Sequence, residues 1–294
     1  MKNGIIIKAL SGFYYVKTDD GILECKARGR FRLDGTSPLV GDRVQCSLDS
    51  AGKGRIDHVE ERRNYFIRPA VANVDALIFV AANTNPVTDP FLIDRVSVIA
   101  ESASCELIVC LNKTDLDPAD ELYDIFTLAG FTVVRTSAAT GEGIDALRAA
   151  LSGKVCAFTG NSGVGKSSLM NRLIPGAAIK TAEVSDKLGR GKHTTRHVEL
   201  YELGDGAYAA DTPGFASFDL ELMDIIPKEQ LQYDFLDFAP FLGECRFQDC
   251  AHLKEPGCAV TAAVAAGKIA PTRYRSYERL YELSAKHKSW ELKD

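Results

Sequence analysis

No apolar run in this 294-residue chain approaches the roughly 18 residues that a membrane-spanning helix needs, which excludes a helical membrane protein. The N-terminus, from Met1 to Ile7, has a single lysine, a three-residue apolar run and no cleavage site, so no secretory signal is expected. Internal repeats and low-complexity tracts are missing as well. Without a long apolar heptad run, the chain is expected to be a monomer with no membrane partner, located in the cytoplasm. What remains is ordinary for a globular protein: 46% hydrophobic and 26% charged residues, in a length that holds about two domains or one with attachments.

The eight cysteines do not form a disulfide framework in a cytoplasmic chain. Cys25, Cys46, Cys105, Cys110 and Cys156 are scattered through apolar or strand-like stretches and are expected to be buried thiols. Charge is uneven. The formal net charge is −5, yet residues 1–65 carry a net +3, so only the N-terminal segment is basic.

That segment contains short alternating runs at Ile5–Lys8, Phe13–Lys17, Ile22–Cys25, Arg43–Leu48 and Arg55–Val59, separated by Gly and Asp turns. Five strands in about 60 residues suit an OB-type barrel best, although an SH3-like barrel has the same signature. Within it, Lys26, Arg28, Arg30 and Arg32 would share one face of an extended chain, suited to a phosphate backbone, with Phe31 available to stack. A solvated strand edge is the plainer reading of those charges. A second basic group, Arg273, Arg275, Arg279, Lys286 and Lys288, reads as the solvated face of C-terminal helices.

From residue 66 the pattern becomes alternating strands and helices: an apolar strand over 74–82, then Glu106–Leu111, Thr132–Thr136 and Lys154–Thr159, with helices between them. A doubly wound α/β sheet is expected, with an antiparallel hairpin, His197–Leu203 and Ala207–Ala210, added to it.

Gly160-Asn161-Ser162-Gly163-Val164-Gly165-Lys166-Ser167, followed by Ser168, fits G-x-x-x-x-G-K-[ST] at every fixed position, after a strand and at the start of a helix. Glycines let successive N–H groups turn into one concavity that accepts phosphate oxygens. Lys166 is then expected to bridge the β- and γ-phosphates and Ser167 to hold Mg²⁺. Asn112-Lys113-Thr114-Asp115, directly after a strand, adds the guanine-reading turn. An aspartate there accepts from the ring N–H and the exocyclic amine, a pair that adenine cannot offer, and a carboxylate left unpaired penalises the wrong base. Read alone, the same four residues make a surface turn with Asp115 as an N-cap. Ser137-Ala138, after the next strand, matches the loop whose backbone N–H meets guanine O6.

Asp211-Thr212-Pro213-Gly214 matches D-x-x-G, in which Asp211 assists Mg²⁺ and Gly214 senses the γ-phosphate. Between it and the phosphate loop, Thr194 or Thr195 is expected to close on Mg²⁺. The order is therefore N-K-x-D, S-A, phosphate loop, switch threonine, D-x-x-G, whereas GTPases ordinarily begin with the phosphate loop. Cys245-x4-Cys250-x-His252-x5-Cys258 supplies four ligands within 14 residues, the set that one structural zinc takes.

All of these parts in this order resemble the RsgA (YjeQ/YloQ) family of small-ribosomal-subunit GTPases, over essentially the whole chain. The resemblance implies an OB-fold domain over 1–65, a circularly permuted P-loop GTPase domain over 66–218 and a mostly helical zinc domain over 219–294. It implies GTP and GDP as ligands, and a late-acting 30S assembly factor that contacts 16S rRNA through its outer domains. Slow intrinsic turnover, stimulated by the small subunit, is expected. Where many GTPases carry a water-orienting glutamine this chain has Phe215, which fits slow turnover. The catalytic candidates are Lys166, Thr195 and His193; the resemblance suggests that His193 orients or deprotonates the attacking water, while a surface loop histidine is the plain alternative.

Overall fold

The computed structural model describes residues 1–29, 31, 37–49, 52–67, 70–174, 198–211 and 226–286. Five strands, β1 (Lys2–Leu10), β2 (Phe13–Thr18), β3 (Gly21–Ala27), β4 (Arg43–Leu48) and β5 (Gly54–Val59), pair in the order β1-β2-β3-β5-β4. An additional β1–β4 pairing closes the ring, with Gly4 opposite Val44. Alternation along these strands turns Ile6, Val16, Cys25, Val44, Cys46 and Ile56 inward, each at most 1% exposed. This is the five-stranded barrel that the spacing of the runs predicts. Closure through β1–β4 pairs the strand edges that would otherwise stay open.

A hairpin of two three-residue strands, β6 (Tyr65–Ile67) and β7 (Ala70–Ala72), leads into the second layer system. There β8 (Ala76–Ala81), β9 (Glu106–Leu111), β10 (Thr132–Arg135), β11 (Val155–Thr159), β12 (Glu199–Gly204) and β13 (Ala207–Asp211) lie in the order β10-β9-β8-β11-β13-β12. All neighbours are parallel except β12, which is antiparallel to β13. Every residue of β8 and β11 is buried, as a sheet covered on both faces requires. Helices α1 (Pro90–Ser102) and α2 (Asp120–Leu128) pack on one face with Leu77, Phe79 and Val109. Helices α3 (Ile144–Leu151) and α4 (Lys166–Leu173) pack on the other with Ile78, Val80 and Phe158. α1 starts cleanly because Asp89 accepts from the Phe91 N–H at 3.0 Å and Pro90 occupies the first turn.

The barrel and this sheet are joined edge to edge. β1 pairs with β12 at Lys8 and Glu199, whose side chains also meet at 3.0 Å, and Lys17 meets Glu202 at 3.1 Å. The C-terminal part contains a 3-10 turn, Leu236–Phe241, and helices α5 (Ala259–Ala265) and α6 (Pro271–Lys286).

α6 docks on α1 through Arg273, which is wholly buried and not part of a solvated face. Its guanidinium donates to Asp94 Oδ1 at 2.9 Å, Ser97 Oγ at 3.1 Å and Asp237 Oδ1 at 2.6 Å, and lies 4.6 Å from the centre of the Phe235 ring. The other cations differ: Arg275 and Lys286 are exposed, Arg279 is exposed over the Phe91 ring, and Lys288 lies outside the described residues. Five scattered thiols are buried, as their apolar settings suggest. Burial pushes Cys105, Cys110 and Cys156 up to about 12, so they stay protonated and inert.

Phe31 corrects the expected stacking surface. It is 7% exposed and belongs to the core, because its side chain removes more apolar area from water inside than on the barrel face. Lys26 sits over the Phe13 ring at 4.9 Å, and Arg28 pairs with buried Asp57 at 2.7 Å. Arg30 and Arg32 lie outside the described residues.

Candidate functional site

The phosphate-loop sequence runs between the end of β11 and the start of α4. Gly160 has φ +126°, and a side chain there would overlap the Val80 carbonyl oxygen. Gly165, the residue that opens α4, has φ +100°, and a side chain there would overlap the Asn112 amide. Both positions therefore demand glycine. No side chain caps α4, so the N–H groups of its first turn remain available to an anion.

Lys166 folds back over the loop, donating to Gly160 O at 2.6 Å and Asn161 O at 2.7 Å. Burial lowers its pKa to about 8, since desolvation disfavours the charged ammonium. Ser167 and Ser168 follow in the same turn, both half-buried, and Ser162 is exposed at the loop tip.

The N-K-x-D residues meet this loop through one side chain. Asn112, 2% exposed at the end of β9, donates from Nδ2 to the Val164 carbonyl at 2.8 Å. Its Oδ1 accepts from the Ala138 N–H at 3.0 Å and from Thr136 Oγ1 at 3.3 Å. Lys113 is in the left-handed region at φ +66°, and its ammonium reaches the Asn85 carbonyl. Thr114 donates from Oγ1 to Thr136 O at 2.9 Å, and Asp115 is exposed beside it. Ser137 is buried, bonded through its N–H to Glu142 O at 2.9 Å, and its Oγ accepts from the Thr140 N–H at 3.1 Å.

The N-K-x-D turn, the Ser137-Ala138 loop and the 160–167 loop are thus tied into one contiguous surface. Asp211 ends β13, where its backbone pairs with Glu199. His193, Thr194, Thr195, Gly214 and Phe215 lie outside the described residues.

Arg172 joins these segments although it belongs to no motif. It donates from α4 to Ala138 O at 3.0 Å and Ala139 O at 2.7 Å. No fixed-spacing motif contains it, and its partners are backbone atoms some 34 positions away.

Cys245, Cys250, His252 and Cys258 converge, with their ligand atoms all within 4.8 Å of one another. Cys245 Sγ lies 4.0 Å from Cys258 Sγ and 3.5 Å from His252 Nδ1, and Nδ1 lies 3.4 Å from Cys258 Sγ. A tetrahedral zinc with sulfur at 2.3 Å needs edges of about 3.7 Å, so the donor set fits that ion. His252 Nε2 lies 2.9 Å from Gln232 Oε1, an acceptor, which places the ring proton on Nε2 and leaves Nδ1 facing the sulfurs. Burial also lowers the His252 pKa, favouring the neutral ring that a metal takes.

Backbone N–H groups of Ala259 and Thr261 donate to the sulfurs of Cys245 and Cys258. Glu255 gathers the N–H groups of Ala251, Leu253 and Lys254, and Tyr274 and Tyr277 of α6 donate to the carbonyls of His252 and Ala251. Gln232 and Glu255 carry no ligand spacing, so only the folded chain brings them into view.

Similarity to known proteins follows the same architecture. The RsgA N-terminal domain model matches residues 3–56, and the RsgA GTPase model matches residues 59–221. The small ribosomal subunit biogenesis GTPase RsgA of Caldanaerobacter subterraneus is 45% identical over 277 residues, covering 93% of this chain and 92% of the relative. Its counterpart in Bacillus cereus is 43% identical over 288 residues, covering 96% and 97%. Among solved structures, YjeQ from Thermotoga maritima aligns with a TM-score of 0.83 at 35% identity, covering 98% of this chain and 99% of that one. YloQ, described as a circularly permuted GTPase, aligns at 0.82 and 33% identity, covering 98% and 96%. With the strand that feeds the phosphate loop placed fourth in the sheet and the N-K-x-D turn preceding it in sequence, and with relatives matched from end to end, this chain belongs to the RsgA GTPase family.

Proposed function

We propose that this protein is a GTP-hydrolysing factor in small ribosomal subunit biogenesis, acting late in 30S maturation in the cytoplasm. The relatives' names support the GTPase activity and the subunit. The observation that carries the nucleotide reading is the Asn112 carboxamide, bonded at once to the phosphate loop and to the Ser137-Ala138 loop.

In this reading Asp115 accepts from the guanine ring N–H and amine, and backbone N–H groups after Ser137 donate to O6. Lys166 leaves its loop carbonyls to bridge the β- and γ-phosphates, which seat in the loop from Gly160 to Ser168. Ser167, Asp211 and Thr195 or Thr194 hold Mg²⁺, while Gly214 meets the γ-phosphate. Bound Mg²⁺ supplies charge neutralisation at the β- and γ-phosphate oxygens. A water oxygen bonds to the γ-phosphorus as the bond to the β–γ bridging oxygen breaks, giving GDP and phosphate. His193 orients that water. One zinc held by Cys245, Cys250, His252 and Cys258 staples the segment 219–294, with all four positions filled by protein and none left for water.

The barrel (1–65) and the zinc segment contact 16S rRNA, the subunit stimulates turnover, and the protein acts as a monomer. No helix among the described residues is long and apolar enough to cross a membrane. Titration with labelled GTP and ATP tests the base assignment: preference for GTP, and an Asp115→Asn variant that turns toward xanthine nucleotides, are the expected results. Multiple-turnover phosphate release with and without small subunits tests the enzyme against a scaffold that holds GTP as a structural ligand. The scaffold reading predicts no stimulation.

A further inference from the structure

Arg172 sits on α4, one helical stretch beyond the phosphate loop, yet its guanidinium faces the Ser137-Ala138 loop. Nε donates to the Ala138 carbonyl at 3.0 Å and Nη2 to the Ala139 carbonyl at 2.7 Å. A planar fork on two consecutive carbonyls fixes the planes of the two peptide groups that contain them. In a trans peptide the N–H points opposite its carbonyl, so holding Ala138 O aims the Ala139 N–H away from Arg172. Among the described residues that N–H has no hydrogen-bond partner. Its neighbour, the Ala138 N–H, is already taken by Asn112 Oδ1 at 3.0 Å.

Arg172 is itself anchored at its base. Arg148 of α3 donates to the carbonyls of Leu173 at 3.1 Å and Leu203 at 2.9 Å, holding the last turn of α4. The phosphate-binding helix and the base-reading loop, which are separate segments of the chain, thereby gain a second tie beside that of Asn112.

We infer that Arg172 is a positioning residue for base recognition, orienting the backbone N–H of Ala139 toward the O6 of a bound guanine nucleotide. The inference rests on the guanine reading given above. In this inference Arg172 touches neither base nor phosphate; it sets a donor that does.

The test compares three triphosphates on the full chain: GTP, inosine triphosphate, which keeps O6 but lacks the exocyclic amine, and 2-aminopurine riboside triphosphate, which lacks O6. Arg172→Ala should weaken GTP and inosine triphosphate by about tenfold each, the scale of one lost hydrogen bond, and leave the 2-aminopurine nucleotide unchanged. Arg172→Lys, a point charge in place of a fork, should recover only part of the loss. A preference for GTP over the 2-aminopurine nucleotide that matches wild type in Arg172→Ala overturns the inference. So does a uniform loss on all three nucleotides, which a merely structural role would give. If the wild-type chain does not distinguish GTP from the 2-aminopurine nucleotide, the guanine reading fails first and takes this inference with it.

Discussion

Asn112 Nδ2 donates to the Val164 carbonyl at 2.8 Å, joining residues 52 positions apart in a buried bond. The carboxamide's other end holds the Ala138 N–H, so one side chain spans three segments that a bound nucleotide would also span. Asn112→Ala should therefore loosen the site before any ligand arrives. It leaves buried backbone groups unpaired, at a cost of about 1–3 kcal/mol. A fall in the unfolding midpoint together with at least a tenfold weaker GDP affinity is expected, read by denaturant titration and fluorescent-GDP binding. Normal affinity in a destabilised protein would limit Asn112 to a structural role.

Lys166 makes nucleotide binding depend on pH in a specific direction. Its pKa in the free protein is lowered to about 8 by burial, so above that value the amine is largely neutral. Phosphate oxygens favour the ammonium, so its pKa rises on binding and the complex takes up a proton near pH 8.5. GDP affinity should fall between pH 8 and 9.5, and calorimetry in buffers of different ionisation heat should detect the uptake. Stability of the free protein runs the other way. The unfolded chain binds more protons between about 8 and the ordinary lysine value of 10.5, so this group's contribution to stability grows as pH rises through that window. Lys166→Met should abolish both trends, and a flat affinity profile in wild type would remove the lysine from phosphate binding.

How much of this was legible in the chain depends on the range of the cause. The phosphate loop, the N-K-x-D turn and the cysteine cluster are local patterns, because loop geometry and metal distance fix their spacing. Strands such as Glu106–Leu111 were readable since burial on both faces makes them continuously apolar. The hairpin Tyr65–Ile67 with Ala70–Ala72 was not, because three-residue strands carry no period. Arg273 misled for a different reason: a cation in a polar helix reads as solvated until the acidic partners on α1 and in the 3-10 turn are brought to it. Phe31 failed likewise, since alternation within a basic stripe does not say which side the core lies on.

The Arg273 cluster carries its own expectation. Asp94 is pushed up by desolvation, with Arg273 opposing it, and its Oδ2 finds no hydrogen-bond partner among the described residues. Removing the guanidinium strands two buried carboxylates, so Arg273→Met should destabilise by about 3–5 kcal/mol. Adding Asp94→Asn and Asp237→Asn should recover much of the loss, because the cost is an uncompensated charge more than a missing bond. Urea unfolding of the three proteins decides it. A single variant that loses less than about 1 kcal/mol would show the cluster to be solvated.

Gln232 offers the last check, on the metal centre. Its Oε1 at 2.9 Å from His252 Nε2 selects the tautomer whose Nδ1 faces Cys245 and Cys258. Gln232→Leu keeps all four ligands but removes that acceptor, so the ring is free to turn and to move its proton onto the ligating nitrogen. Zinc affinity should drop by about 10–100-fold, measured by competition with a chromophoric chelator, with the stoichiometry still one ion per chain. Cobalt substituted into the variant should keep a tetrahedral visible spectrum, since three sulfurs and one nitrogen remain. Chelating the metal from wild type should make the loop between Cys245 and Cys258 more sensitive to proteolysis, because the ion joins the two ends of that loop. A Gln232→Leu protein with wild-type affinity would mean that the tyrosine bonds to the His252 and Ala251 carbonyls hold the loop without help from the ring.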